Sequence, residues 1–220
     1  MFFILLLLPF LVAPINAVDL SFTLKGITQL GTVGAFFECS TTTTHELCKE
    51  VIQESSTPRR ILELGAGKGI VTAELLRNCT EDDRIDLVEL DVDFCAHLRK
   101  EFSSTKYPNV QVHQVDMLKF VPEQSYDIII CTLPFNAFDT ETVVAMLKKI
   151  ETLTKKGTRF SYIEYLAGST VRKITALATA SYADEARRYG ALQDFKKGRL
   201  QETVCIVRNA PPTYVHHLQF

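Results

Sequence analysis

The hydrophobic and polar positions of this chain fall into short apolar runs separated by stretches of helical periodicity. The runs at residues 61–64, 84–89, 110–115 and 126–131 have the length of buried strands, and Tyr126-Asp127-Ile128-Ile129-Ile130-Cys131 is nearly continuous, as a strand covered on both faces requires. Residues 70–77 and 140–153 repeat at helical spacing between them. After Gly157 the pattern predicts a strand over 158–165, a helix from Ser169 to about Tyr182, and two closing strands, 200–207 and 214–218, joined by a turn at Ala210-Pro211-Pro212. Upstream, the hydroxyls of residues 40–44 are good helix caps, and Leu47, Val51 and Ile52 form an apolar stripe behind them. Alternating strands and helices closed by a hairpin predict an α/β fold. The expected form is a Rossmann-like, seven-stranded, mainly parallel sheet with helices on both faces and one antiparallel strand.

The first run, Ile61-Leu62-Glu63-Leu64, opens into Gly65-Ala66-Gly67-Lys68-Gly69. Glycine has no Cβ and tolerates positive φ, so such a turn can reverse the chain sharply and bring bare backbone against a ligand. A dinucleotide fingerprint would place its third glycine at position 70, which is Ile70 here. The alternate-glycine form led by an acid resembles motif I of the S-adenosylmethionine methyltransferases instead. That resemblance implies that Glu63 receives the cationic amino-acid half of the cofactor and that Gly65, Ala66 and Gly67 offer it backbone. Gly69 would let the following helix pack tightly. Glu89 ends the second run about 20 residues past the glycines, where a ribose hydroxyl pair needs an acceptor. Asp116 follows the third run, at the edge where an adenine amine would be recognised.

The fourth run leads into Thr132-Leu133-Pro134-Phe135-Asn136. In amino-directed methyltransferases a loop of the form Asn/Asp-Pro-Pro-aromatic at this place offers carbonyl oxygens and an aromatic face to the target nitrogen, and this segment resembles it. Thr132 and Leu133 replace the polar first residue, so the acceptors here would be the main-chain carbonyls of those two residues. A narrower resemblance adds Gly31-Thr32-Val33-Gly34-Ala35, Val88-Glu89-Leu90-Asp91 and the closing Arg208-Asn209-Ala210-Pro211-Pro212-Thr213-Tyr214-Val215. Together these are similar to the bacterial phospholipid N-methyltransferases, from about residue 24 to the end. One departure is Cys39-Ser40-Thr41 where that family usually has Pro-Ser-Ser. The resemblance implies S-adenosylmethionine as cofactor, an amine such as that of phosphatidylethanolamine as acceptor, and a membrane surface as partner. It implies a catalytic set of Leu133, Pro134, Phe135 and Asn136, to which Glu164 and Tyr165 at the end of the fifth strand add polar groups for removing a proton. The rRNA adenine dimethyltransferases share the glycine loop and a similar Leu-Pro loop, so RNA adenine is the alternative acceptor. An inactive, cofactor-binding protein tethered to a membrane is a third reading.

Composition narrows these readings a little. The chain has 220 residues, 46% hydrophobic and 23% charged, enough for one good core. A net charge of -2 leaves no global basic field, which argues against a nucleic-acid partner. The six cysteines contain no C-x-x-C pair and the five histidines are scattered, so reduced, mostly buried thiols and no metal site are expected. Residues 2–18 carry no charge, but their apolar core, 2–12, is shorter than the roughly 20 residues of a comfortable span. No Lys or Arg precedes that core, as a secretory signal would require. The expected organisation is a membrane-seeking segment at 1–18, a cap with one helix at 19–56, and a methyltransferase domain at 57–220 facing the cytoplasm, with export through a signal-like amino terminus as the alternative.

Overall fold

A computed structural model describes residues 39–53, 55–165, 181–209 and 212–220. The apolar segment 1–18, the glycine motif at 31–35 and the predicted helical stretch up to residue 180 lie outside these residues. The strands are β1 (Arg60–Leu64), β2 (Arg84–Glu89), β3 (Val110–Gln114), β4 (Tyr126–Cys131), β5 (Thr154–Tyr165), β6 (Leu200–Ile206) and β7 (Thr213–Gln219). The helices are α1 (Thr41–Leu47), α2 (Lys49–Ile52), α3 (Ile70–Asn78), α4 (Val92–Glu101), α5 (Thr140–Leu153) and α6 (Ser181–Lys196).

One seven-stranded sheet results, in the order β3-β2-β1-β4-β5-β7-β6. The first five strands pair in parallel, and β7 runs antiparallel to both β5 and β6. It is the expected architecture, single antiparallel strand included. Side chains alternate across a strand, so the two faces build two cores. Leu62, Leu64, Ile129, Phe160 and Tyr162 pack under α5 and α6, while Ile61, Ile85, Leu87, Ile128 and Ile130 pack under α1 to α4. That division is why β1 and β4 read as unbroken apolar runs.

Two helices depart from expectation. α4 was not anticipated, although Asp91 caps it by accepting from the Asp93 and Phe94 amides. Only Cys95 and Leu98 of its ten residues are buried, too thin a stripe to stand out from its charges. α6 is described over Ser181–Lys196 and reaches well past the expected helix end near Tyr182, while the rest of that predicted helix lies outside the described residues. β5 starts at Thr154 rather than residue 158, because its first residue pairs with Tyr126. The crossover from β3 to β4, residues 115–125, holds turns and no helix, so no helix among the described residues covers the neighbouring half of one sheet face.

A buried ion pair fastens the edge of this framework. Arg59 reaches Asp83 through Nη2 at 2.7 Å and Nε at 3.1 Å, and it also donates to the carbonyls of Val51, Gln53 and Asn78. Asp83 accepts further from the Arg59 and Thr80 amides. One guanidinium thereby satisfies the last carbonyls of α2 and α3, which have no partner within their own helices.

All six cysteines are free; Cys48, Cys95 and Cys131 are buried, Cys39 and Cys79 half-buried, and Cys205 exposed. Among the described residues no group of three His, Cys, Asp or Glu could hold a metal ion, and no helix is long and apolar enough to cross a membrane. His216 and His217, adjacent on β7, turn to opposite faces: His217 meets Ser161 and Glu46, and His216 meets Thr203 and Glu164.

Candidate functional site

The glycine turn lies at the carboxyl end of β1, against the ends of β2 and β4. Gly65, Gly67 and Gly69 all have positive φ, 81°, 53° and 80°. Their surroundings differ in a way that separates their roles. A Cβ on Gly65 would stand 2.7 Å from Leu133 Cδ2, and one on Gly69 would stand 2.4 Å from Phe102 Cε2. Those two glycines admit protein: the first admits the loop after β4, the second the end of α4 rather than the helix that follows the turn. Among the described residues, a Cβ on Gly67 would meet nothing nearer than the Gly65 carbonyl at 3.9 Å. Bare backbone therefore faces open space at Gly67, as a ligand cradle needs. The Ala66 side chain is buried in the core, which leaves only its backbone to a ligand.

Three acids surround this turn. Glu63 is fully buried, and its Oε2 accepts from the Thr72 hydroxyl at 2.7 Å while Oε1 has no hydrogen-bond partner among the described residues. Burial pushes its carboxyl up to about 8; the Thr72 bond opposes this and the charge of Glu89 adds to it. Such an orphaned acceptor fits a cationic ligand group. Glu89 Oε2 accepts from the Gly67 amide at 2.8 Å, and its Oε1 accepts from the Leu90 and Asp91 amides. The second strand thus holds the glycine turn through the residue expected to meet a ribose. Asp116 accepts from the Leu118 amide at 2.9 Å, so it also caps the turn that follows β3.

The buried acid carries a pH prediction. Glu63 holds a proton in the folded state at pH values where the unfolded chain has lost it, so stability falls as pH rises from about 4.5 to about 8. Glu63→Gln is expected to flatten that slope in thermal unfolding of the unliganded protein. The variant should be the more stable form on the alkaline side, by on the order of a few kcal/mol.

The loop after β4 is stitched to the glycine turn. Thr132 donates its amide to the Leu64 carbonyl at 3.0 Å and its hydroxyl to the Gly65 carbonyl at 2.6 Å. Leu133 packs against Gly65, and Pro134 precedes a single 3-10 turn over Phe135–Ala137. Phe135 does not show an aromatic face to the cleft, because it is buried with its ring centroid 5.4 Å from that of Tyr162, edge-on. Asn136 reaches the Tyr165 carbonyl through Nδ2 at 3.5 Å.

Glu164 and Tyr165 are consecutive on β5 and face opposite sides of the sheet. Glu164 Oε2 lies 3.1 Å from His216 Nε2 and 3.9 Å from Lys196 Nζ. Tyr165 is buried beside Cys39; burial pushes the Cys39 thiol up to about 11, with the Tyr165 hydrogen bond opposing and the charge of Glu63 reinforcing. Tyr165 therefore belongs with Glu63, and Glu164 with His216 and the Phe135 face. No single proton can be shared between the two.

Asn209 joins two segments that the sequence does not visibly connect. Its Oδ1 accepts from the Ser40 amide at 2.9 Å and the Thr43 hydroxyl at 3.0 Å, and its Nδ2 donates to Thr213 at 3.3 Å. The start of α1, beside Cys39, thus hangs from the β6–β7 turn. Both ends of this clamp lie in segments marked by the family resemblance, but their 169-residue separation hides the contact.

Residues 61–157 match the family described as a methyltransferase domain. An rRNA adenine N-6-methyltransferase of Lysinibacillus sphaericus is 36% identical over 77 residues, 34% of this chain and 30% of that protein. A malonyl-[acyl-carrier protein] O-methyltransferase of Halalkalibacterium halodurans is 37% identical over 95 residues, 40% of this chain and 34% of that protein. The chain thus spans about a third of the length of these curated relatives. Among solved structures, the N-methyltransferase NodS of Bradyrhizobium japonicum, in complex with S-adenosyl-L-homocysteine, superposes with a TM-score of 0.58 at 15% identity, covering 80% of this chain and 84% of that one. The fold, the glycine turn and the buried acid that precedes it agree with that match: over residues 61–157 this chain is similar to S-adenosylmethionine-dependent methyltransferases.

Proposed function

We propose that this protein transfers a methyl group from S-adenosylmethionine to an aliphatic amine, the headgroup nitrogen of an aminophospholipid such as phosphatidylethanolamine, at a membrane surface facing the cytoplasm. The observation that carries the amine reading is the Thr132 hydroxyl bound to the Gly65 carbonyl at 2.6 Å. It seats the Leu133-Pro134 segment directly on the cofactor turn, where main-chain carbonyls can orient N–H groups toward the methyl donor. The cofactor supplies an electrophilic sulfonium methyl, so the protein's task is alignment and exclusion of water. Glu63 would meet the cationic end of the cofactor, Gly67 its passing backbone contact, Glu89 the ribose and Asp116 the adenine.

An aliphatic ammonium loses its proton near pH 10, and until then it has no lone pair to offer. A proton acceptor is therefore part of this reading. Glu164, backed by His216 and on the same sheet face as Phe135, is the group we assign to it, whereas an adenine amine would need no such base. The lipid reading also draws on the apolar segment 2–18 and on the closing Asn-x-Pro-Pro segment. RNA adenine is the second reading, favoured by the rRNA adenine N-6-methyltransferase among the relatives.

Incubation with methyl-labelled cofactor and either phosphatidylethanolamine liposomes or unmodified rRNA decides between them. Label in methylated lipid, and none in RNA, is the expected result. Label in RNA adenine alone would replace the lipid reading with the second one.

A further inference from the structure

We infer that the hollow over the β2–β3 half of the sheet is a second binding site, for a small organic anion bearing a phosphate or carboxylate group. The hollow has a volume of about 650 Å³ and lies where the crossover from β3 to β4, residues 115–125, forms turns and no helix. None of Gly65, Gly67, Gly69, Glu89 or Asp116 lines it, so it is separate from the cofactor turn.

Its floor breaks the rule that parallel strands are apolar on both faces. Arg60, Asp86, Gln111, His113 and Tyr126 line it, one or two from each of four adjacent strands. Asp86 is already well supplied with donors. Its Oδ1 lies 2.7 Å from His113 Nε2, and its Oδ2 accepts from the Tyr126 hydroxyl at 2.8 Å and lies 3.5 Å from an Arg60 nitrogen. Arg60 keeps unused capacity, since its buried Nε has no hydrogen-bond partner among the described residues.

Arg60 is also the direct parallel neighbour of Arg84, and paired residues on parallel strands share a face. Like charges placed side by side on a sheet repel, unless something anionic lies between them. Lys119 adds a third cation to the lining, and neither it nor Arg84 forms an ion pair among the described residues. Glu123, exposed on the rim, is the other acid there. Donors and positive charge are therefore in excess, and the complementary ligand is rich in acceptors. Phe120, Val121 and Pro122 supply an apolar wall for its organic body, and the volume is in the usual range for a small-molecule site.

The test follows the histidine ring resonances of the full chain by NMR during titration with inorganic phosphate and, separately, succinate, against chloride at matched ionic strength. His113 should shift saturably with one of the two anions while the other histidines stay still, and the responding anion identifies the headgroup class. The double variant Arg84→Gln, Lys119→Gln changes two exposed side chains and should weaken that binding by about tenfold or more. An unmoved His113 at tens of millimolar of either anion overturns the proposal. So does an equal response in the double variant or to chloride, which would mean an adventitious ion only.

Discussion

Gly67→Leu is expected to leave the protein folded and unable to bind S-adenosylmethionine. Among the described residues the nearest neighbour of the added side chain is the Gly65 carbonyl at 3.9 Å, so none of their packing is lost. The strain of a φ of 53° on a residue other than glycine costs only about 1–2 kcal/mol. The leucine would, however, fill the cradle, and calorimetric titration should show affinity falling by at least about a hundredfold, some 2.7 kcal/mol. A bulky residue at Gly69 makes the useful contrast, because it collides with Phe102 and Leu98 and should damage folding first. Unchanged cofactor affinity in folded Gly67→Leu would remove the whole site assignment.

Asp83→Ala is expected to cost the most stability of any substitution considered. It strands the Arg59 guanidinium, with a side chain only 9% exposed, without its counter-charge. Removing one partner of a buried pair typically costs about 3–5 kcal/mol. For a chain of this size that is a fall in melting temperature on the order of 10 °C. Burial alone would raise the Asp83 carboxyl, but the Arg59 side-chain bonds and the Thr80 and Arg59 amides outweigh it and hold it below its ordinary value. Its contribution is thus fully present above pH 3.8 and fades as pH falls through the lower folded-state value, so parent and variant should converge in acid. Thermal unfolding across pH checks both the size and the convergence. A loss below about 1 kcal/mol near neutrality would mean that Arg59 is adequately held by the carbonyls of Val51, Gln53 and Asn78.

Local chemistry made much of this architecture readable from sequence. The unbroken run 126–131 announces a central strand, and the glycines at 65, 67 and 69 are demanded by backbone angles that other residues resist. The closing hairpin follows from its turn residues. What stayed hidden depends on partners distant in the chain. Phe135 reads as a displayed aromatic until Tyr162, 27 positions later, draws it inward. Glu164 and Tyr165 read as one polar pair, yet adjacent strand residues face opposite ways. α4 packs through two buried side chains, a signal too slight for periodicity to carry. The polar floor of the β2–β3 hollow is invisible to any reading that takes strands one at a time, because its members come from four of them.

The clamp at Asn209 sets an order of events. The Ser40 amide and the Thr43 hydroxyl at the start of α1 find an acceptor in Asn209, in the turn between β6 and β7. β7 must also thread between β5 and β6. Contacts of such long sequence separation form late. During synthesis, then, the glycine turn and its neighbouring strands emerge and fold first, while the segment beside Cys39 waits for residues 209–217. The first turn of α1 is thus fixed last, once β6 and β7 have paired and brought Asn209 to it.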